Sequence, residues 1–275
     1  MMPFTNILIS FEDDETVCLA IEKALLIFGQ KNTRIHLLKC SENTFSSLTG
    51  DSAASCEKEM DELKQKVAQL KGKFRIISNT IFRKNFSVRF KKYFIAEKID
   101  LVMNVQHKNY SSQLSHAHFF YHRLCIKMNV PVLLFMYKSL VQGIRSVFLP
   151  ITGRMPAKRI QIALDVSARY HAQIYIATAL DNDDSNMQHV SDSFYQTFKN
   201  LTESGHLPLY KVFLGKQTPQ AILDYGEQIR ADLILINLEK KHSFSEWLEE
   251  KKENLRLLFS SACIITMKPH LSPTA

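Results

Sequence analysis

Short, continuous apolar runs alternate along the chain with longer stretches in which apolar residues recur every three to four positions. The runs are typical of strands buried on both faces, and the longer stretches are typical of amphipathic helices. The runs lie at 7–12, 34–38, 74–82, 99–104, 130–135, 147–152, 173–177, 209–214, 231–236 and 262–267. Because helices that alternate with apolar strands favour a parallel sheet with right-handed crossovers, the pattern predicts a doubly wound α/β protein.

The second half of the chain repeats the pattern of the first half. Residues 99–104 match residues 231–236 at an offset of 132, and the two closing strands keep that offset. Both copies also have a spacing of 31 residues between the aspartate of the fourth strand and the start of the fifth. Two copies that align without a gap indicate a repeated unit. We predict two tandem domains, 1–138 and 144–275, each a five-stranded parallel sheet with helices on both faces.

Several segments resemble one known family. Residues 217–226, taken together with 231–236, are similar to the third helix and fourth strand of universal stress proteins. The opening strand with Pro150 and the closing apolar strand are similar to that family as well. The similarity covers essentially the whole chain twice, more loosely in the first half, where residues 83–98 are unusual. The chain therefore resembles a tandem universal stress protein, which implies two Rossmann-like domains.

Glycine is scarce, and this matters for the family's nucleotide site. The chain has eight glycines in 275 residues, and no two of them are close enough to form a paired-glycine phosphate loop. Nucleotide-binding members of the family carry G-x-x-G, nine residues, then G-[ST] between the fourth and fifth strands. The 31-residue spacing locates these positions at Val105, Lys108, His118 and Phe119 in the first half, and at Asn237, Lys240, Glu250 and Lys251 in the second.

None of these eight positions is glycine. A loop that cradles phosphates needs backbone amides close to the oxygens, often at positive φ, which bulky residues do not tolerate. The family's acidic position after the first strand is Glu12 in one half, and Thr152, followed by Gly153, in the other. We predict two degenerate sites and no cofactor. The alternative is a nucleotide that is held through Lys108 or Lys240 by charge alone.

The net charge of +8 is concentrated in one segment. Residues 73–98 contain eight basic residues and one acidic residue, which gives +7. In a helix, Phe86, Phe90, Tyr93 and Phe94 share one face, and that spacing favours core packing over stacking on bases. Arg89, Lys91 and Lys92 are the candidates for binding an anionic partner.

Histidines before the fifth strand raise the question of a metal. His118, His122 and Cys125 fall on one side of a predicted helix, and such a group can hold a soft divalent ion. They also border an apolar helix face, and no acidic second layer of ligands is visible, so we predict no metal. The five cysteines form no C-x-x-C pair, which favours a reduced protein without a disulfide framework.

The resemblance implies a regulatory or protective protein that acts in the cytoplasm during stress without catalysing a reaction. It also implies an intramolecular pseudo-dimer formed by the closing strands, 130–136 and 262–268. A homodimer and an unidentified protein or anionic partner are left open, and no membrane contact is expected. Two alternative functions stay open: an ATP-binding universal stress regulator, and an anion- or nucleic-acid-binding module that uses residues 73–98.

Overall fold

A computed structural model describes residues 4–11, 14–28, 33–41, 58, 61–62, 65, 75–82, 86–106, 125, 127–136, 143–153, 155, 157–180, 187–215, 219–237 and 262–267. The strands in these residues are β1 (Asn6–Phe11), β2 (Arg34–Ser41), β3 (Arg75–Phe82), β4 (Leu101–Gln106), β5 (Val132–Met136), β6 (Ser146–Ile151), β7 (Gln173–Leu180), β8 (Leu209–Leu214), β9 (Leu233–Asn237) and β10 (Cys263–Met267). The helices are α1 (Asp14–Phe28), α2 (Phe86–Glu97), α3 (Ala157–Tyr170), α4 (Met187–Glu203) and α5 (Pro219–Gln228).

The predicted α/β class is confirmed, since a strand is present at each of the ten apolar runs. β8 has the predicted bounds, whereas β7 extends three residues beyond the predicted 173–177. The chain forms two compact units, residues 3–133 and residues 134–275, and the boundary between them falls inside β5. None of the described helices combines the length and the apolar character that crossing a bilayer requires.

In the first run of five strands the hydrogen-bonded order is β3-β2-β1-β4-β5. β1 lies between β2 and β4 and is parallel to both, with Ile7 opposite Ile35 on one side and Leu101 on the other. Ile7, Leu8 and Ile9 are fully buried, as expected for a strand that is covered on both faces. The strand order reverses its direction between β1 and β4.

The second run has the same order, β8-β7-β6-β9-β10. β6 is parallel to β7 and β9, and all six of its residues are buried. Ile160, Ala163 and Ser167 of α3 are buried too and recur at helical spacing, so they form the inward face of that helix. The reversal of strand order in this run lies between β6 and β9.

An aspartate before the fourth strand of each run holds the start of the opening strand. The Asp100 carboxylate accepts hydrogen bonds from the backbone N–H groups of Thr5 and Asn6, at 2.8 and 3.0 Å. The Asp232 carboxylate accepts bonds from Arg145 N–H and from the first N–H of β6, at 2.8 and 3.0 Å. Burial raises the pKa of Asp100, while these hydrogen bonds act in the opposite direction.

Helices α2 and α5 end with the same backbone turn. Lys98 after α2 has φ 52°, and Arg230 after α5 has φ 50°. In both, the next N–H donates to the carbonyl five residues earlier, at 3.1 Å after α2 and 3.0 Å after α5. This is the Schellman arrangement, in which glycine is the usual residue at positive φ. A basic residue takes that position in both units.

Candidate functional site

Ligands of doubly wound folds bind at the carboxyl ends of the strands, where the strand order reverses. In this chain that principle marks two crevices. The first crevice lies after β1 and β4, and the second crevice lies after β6 and β9.

At the first crevice the two strands stay paired almost to their ends. Four residue pairs join β1 to β4, and the last of them is Ser10 opposite Asn104. Asn104 is 2% exposed, and among the described residues its Oδ1 atom has no hydrogen-bond partner. A buried unpaired acceptor costs about 1–3 kcal/mol. This oxygen can accept a hydrogen bond from a donor that reaches the crevice.

The first-half positions of the family motif are mostly outside the described residues. Val105 continues β4, so the strand extends through the position where the family has its first glycine. Glu12, Lys108, His118 and Phe119 lie outside the described residues.

At the second crevice the pairing is shorter. Val147 opposite Leu233 and Phe148 opposite Ile234 are the residue pairs that join β6 to β9. Pro150 follows two residues later and has no N–H to donate. Carbonyl oxygens at this end of the two strands therefore need another donor.

Arg159 supplies that donor. Its Nη1 atom donates to the carbonyl oxygen of Pro150 in β6 and to that of Leu235 in β9, each at 2.8 Å. The side chain is 2% exposed, and Arg159 is the third residue of α3. A buried guanidinium is tolerated only when it is hydrogen-bonded. The Arg159 side chain thus bridges the carboxyl ends of the two strands that form the second crevice.

The described second-half positions of the family motif lie at the ends of β6 and β9, the two strands that Arg159 joins. Thr152 and Gly153 form a bend directly after β6, where Thr152 is exposed and Gly153 is half-buried. Asn237 is the last residue of β9. Lys240, Glu250 and Lys251 lie outside the described residues.

The basic segment places its charges and its aromatic rings on opposite sides of α2. Phe90 and Phe94 are buried, with ring centroids 4.7 Å apart, which agrees with the predicted core face. Arg89, Lys91 and Lys92 are all exposed. Val88 and Ile95 are exposed on the same helix, Ile95 by 76%. The outer surface of α2 is therefore cationic with two apolar side chains, and we call these five residues the α2 surface.

A buried histidine links α2 to β2. His36 is fully buried, and its Nδ1 atom lies 2.8 Å from the Tyr93 hydroxyl oxygen. Burial lowers the pKa of His36, and the nearby Glu97 only partly opposes this. Burial, together with Glu97, raises the pKa of Tyr93 to about 12. Both side chains are therefore neutral at pH 7.

No group of three or more potential metal ligands is found among the described residues. Cys125 is buried, and burial raises the pKa of its thiol. His118 and His122 lie outside the described residues, so the predicted absence of a metal stays a prediction.

Three solved structures are similar to the chain over nearly its whole length. A universal stress protein from Archaeoglobus fulgidus DSM 4304 has a TM-score of 0.68 at 14% identity, covering 97% of both chains. A putative universal stress protein from Pseudomonas aeruginosa UCBPP-PA14 has a TM-score of 0.63 at 16% identity, covering 98% of this chain and 94% of that one. The fold is that of the universal stress proteins.

The cytoplasmic domain of a prokaryotic cation chloride cotransporter has the same fold, with a TM-score of 0.58 at 12% identity, covering 98% of this chain and 97% of that one. No protein-family model and no curated protein sequence matches the chain. Sequence identities this low show the fold and leave the ligand and the partner open.

Sequence reasoning missed Arg159, although two signals for it are present. Pro150 removes a donor at the end of β6, which predicts that a side chain must satisfy the neighbouring carbonyl. The first turn of α3 contains no acidic residue but includes Lys158 and Arg159. Cations there oppose the helix dipole, so their presence indicates a specific contact elsewhere.

Proposed function

We propose that this chain is a tandem, universal stress protein-like regulatory protein that acts in the stress response, catalyses no reaction and binds no ATP. The Arg159 bridge carries the proposal, since a guanidinium already fills the ends of β6 and β9, where a ligand of this fold is expected. The absence of glycine from all eight motif positions supports the same conclusion for both halves. We place the protein in the cytoplasm.

The tandem arrangement, with domains at 1–138 and 144–275, is supported by details that recur in both halves. The strand order, the aspartate that holds the opening strand and a Schellman turn with Lys or Arg at positive φ occur in each unit. Lys98 and Arg230 are 132 positions apart, as are Asp100 and Asp232. That offset equals the one between the matched strands, which is the behaviour expected of a duplicated unit.

We also propose the pseudo-dimer formed by the closing strands. β5 and β10 are the last strands of their runs, and Leu133 and all five residues of β10 are buried. An unpaired apolar edge is an aggregation hazard, and pairing of the two edges removes it.

Isothermal titration of the full chain with Mg-ATP tests the main proposal. We expect no binding heat up to about 1 mM nucleotide, which corresponds to a binding free energy weaker than about −4 kcal/mol. A micromolar dissociation constant would overturn the proposal and favour the ATP-binding alternative. The Arg159→Met variant, titrated in parallel, separates the effect of the Arg159 side chain from the effect of the missing glycines. If only this variant binds Mg-ATP, the Arg159 side chain is what excludes the nucleotide from the second crevice.

The α2 surface favours a second candidate function, binding of an anionic partner. Arg89, Lys91 and Lys92 are exposed beside Val88 and Ile95, so both charge and apolar contact are available. Phe90 and Phe94 are buried and cannot stack on bases. This arrangement favours an anionic surface or an acidic segment over single-stranded nucleic acid.

Retention on heparin at increasing salt tests this candidate. Arg89→Ala combined with Lys92→Ala should lower the eluting salt concentration and flatten the salt dependence. Lys127→Ala combined with Lys199→Ala is the matched control, because it removes the same charge from exposed positions elsewhere. Equal losses for the two pairs would show that net charge alone is responsible and would reject the α2 surface.

A further inference from the structure

β8 is the last strand of its run and an unusually apolar edge. In the strand order it is hydrogen-bonded to β7, with six residue pairs from Tyr175 opposite Leu209 to Leu180 opposite Leu214. Leu209, Tyr210 and Leu214 are 51, 60 and 72% exposed. Natural edge strands usually carry several charges or a proline, whereas Lys211 is the single charge in this strand.

Neighbouring exposed side chains enlarge this apolar surface. Tyr195 of α4 and Leu207, two residues before β8, are 63 and 78% exposed. Contiguous exposed apolar surface on a soluble protein commonly marks an interaction site. We call Tyr195, Leu207 and β8 together the β8 edge.

Aromatic contacts hold the central side chains of β8, Tyr210 and Phe213, in place. The Tyr210 ring packs edge-on against Phe194 and Phe198 of α4, with centroids 6.2 and 5.6 Å apart. On the other face, Phe213 packs edge-on against Tyr225 at 6.2 Å, and Lys211 Nζ lies 5.8 Å from the Phe213 ring centroid. A surface held in place in this way loses little conformational entropy on binding.

The backbone direction in β8 decides which groups are available. The N–H of Gly215 donates to Leu180 O at 3.0 Å, so position 215 is directed toward β7. Because backbone groups alternate along a strand, the odd-numbered residues of β8 face β7, while Tyr210, Val212 and Leu214 direct their N–H and C=O groups outward. These six groups can pair with an added strand.

We propose that the β8 edge binds a second copy of this chain by antiparallel pairing of β8 with β8, with Val212 on the two-fold axis. A two-fold axis through an antiparallel pair places one residue opposite itself. If that residue were Lys211, two like charges would be directly opposed, which is destabilising. With Val212 on the axis, Val212 pairs with Val212, and Tyr210 pairs with Leu214 of the partner subunit. These are the residues whose N–H and C=O groups point away from β7, so their backbone groups can form the hydrogen bonds between the two strands.

The Val212 register also matches the side chains. Tyr210 lies opposite Leu214 of the partner subunit, which is an aromatic–aliphatic pair of the stabilising kind. Lys211 lies opposite Phe213 of the partner subunit, and a cation beside an aromatic face is favourable. The self-complementary pairing of charge with ring, and of apolar with apolar side chains, favours a second copy over an unrelated peptide strand.

Sedimentation equilibrium over a range of concentrations tests the proposal, with Val212→Pro as the decisive variant. Proline removes an N–H that points away from β7, so the internal ladder keeps its bonds and edge strands tolerate the change. We expect a dimer for the wild type and at least tenfold weaker association for Val212→Pro. Val212→Thr, which keeps the N–H, is the matched control and should associate like the wild type.

Amide hydrogen exchange identifies the surface independently of any mutation. On association, exchange at the amides of Tyr210, Val212 and Leu214 should slow, whereas the amides that face β7 should change little. A wild-type chain that is still monomeric at about 200 μM would overturn the proposal. So would a dimer whose association Val212→Pro weakens by less than tenfold, which is about 1.4 kcal/mol. If Val212→Pro fails to fold, Tyr210→Asp combined with Leu214→Asp, which puts like charges opposite each other, replaces it with the same two outcomes.

Discussion

The first and second crevices lie at the same point of the same strand order but are finished differently. After β1 and β4 the strands stay paired as far as Ser10 and Asn104, and a buried carboxamide oxygen is left without a partner among the described residues. After β6 and β9 the pairing ends two residues before Pro150, and the Arg159 guanidinium bridges the strand ends. The two units therefore share a strand order, whereas the strand ends at their crevices are hydrogen-bonded differently.

Replacing Arg159 is expected to have the largest effect on this comparison. Arg159→Ala leaves two carbonyl oxygens without their donor and removes a buried side chain, which should cost about 3 kcal/mol of unfolding free energy. Thr16 is the third residue of α1, as Arg159 is of α3, so Thr16→Ala is the matched change. It should cost less than about 1 kcal/mol of unfolding free energy. Urea denaturation followed by circular dichroism measures both. Equal losses would show that the two helix starts are equivalent and that the bridge has no special role.

The two aspartates should respond differently to the same conservative change. Asp100 uses both carboxylate oxygens, one for Thr5 and one for Asn6 N–H, so Asp100→Asn places an amide NH₂ against a donor. Among the described residues, the three hydrogen bonds to the Asp232 carboxylate all use one oxygen, which an asparagine can supply. We expect a loss of about 2 kcal/mol for Asp100→Asn and below about 1 kcal/mol for Asp232→Asn, because bonds to a charged acceptor are worth about 1.5–3 kcal/mol. The same denaturation experiment at pH 7 checks this, and a larger loss at Asp232 would contradict it.

His36 should make the first unit sensitive to acid in a way that the second is not. Its pKa is lowered in the folded state, so the unfolded chain binds the proton more readily. The stabilisation is therefore complete above the unfolded pKa of 6.5 and is lost as the pH falls below that value toward the folded pKa. The corresponding position of β7 is Tyr175, since Leu8 is opposite His36 and Phe148 is opposite Tyr175. Hydrogen exchange at pH 7.5 and 5.5 should show loosening of β2 and α2 that His36→Gln suppresses, and equal loosening of β7 would contradict this assignment.

The smallest effect is expected at the Schellman turns of Lys98 and Arg230. Lys98 and Arg230 have positive φ, which costs a residue with a side chain about 1–2 kcal/mol relative to glycine. Part of the gain from glycine is lost to the greater freedom of the unfolded chain, so Lys98→Gly and Arg230→Gly should each stabilise by about 0.5 kcal/mol. Thermal unfolding of both variants measures this, with Thr152→Gly as a control at an exposed position that has no positive φ. Stabilisation at only one of the two positions would show that the turns differ.

The elements of the fold were predictable because they depend on local patterns. Continuous apolar runs predicted every strand of β1 to β10, and the aromatic spacing predicted the burial of Phe90 and Phe94. The role of Arg159 was not predicted, because it depends on the folded chain. Folding brings the carbonyl oxygens of Pro150 and Leu235, which are far apart in the sequence, to within 2.8 Å of Arg159 Nη1. The exposure of Tyr210 and Leu214 could not be predicted either, because an apolar run does not show whether its strand will be central or at the edge of the sheet.

The central claim is that neither half holds a nucleotide, and the ligand content of the purified protein tests it most directly. Native mass spectrometry of the full chain, followed by denaturing extraction and chromatography of the supernatant, gives the amount of nucleotide for each chain. We predict that the intact mass equals that of the 31.7 kDa chain without an adduct and that the extract contains no stoichiometric nucleotide. An adenine nucleotide present at half a mole or more for each mole of chain would contradict the account.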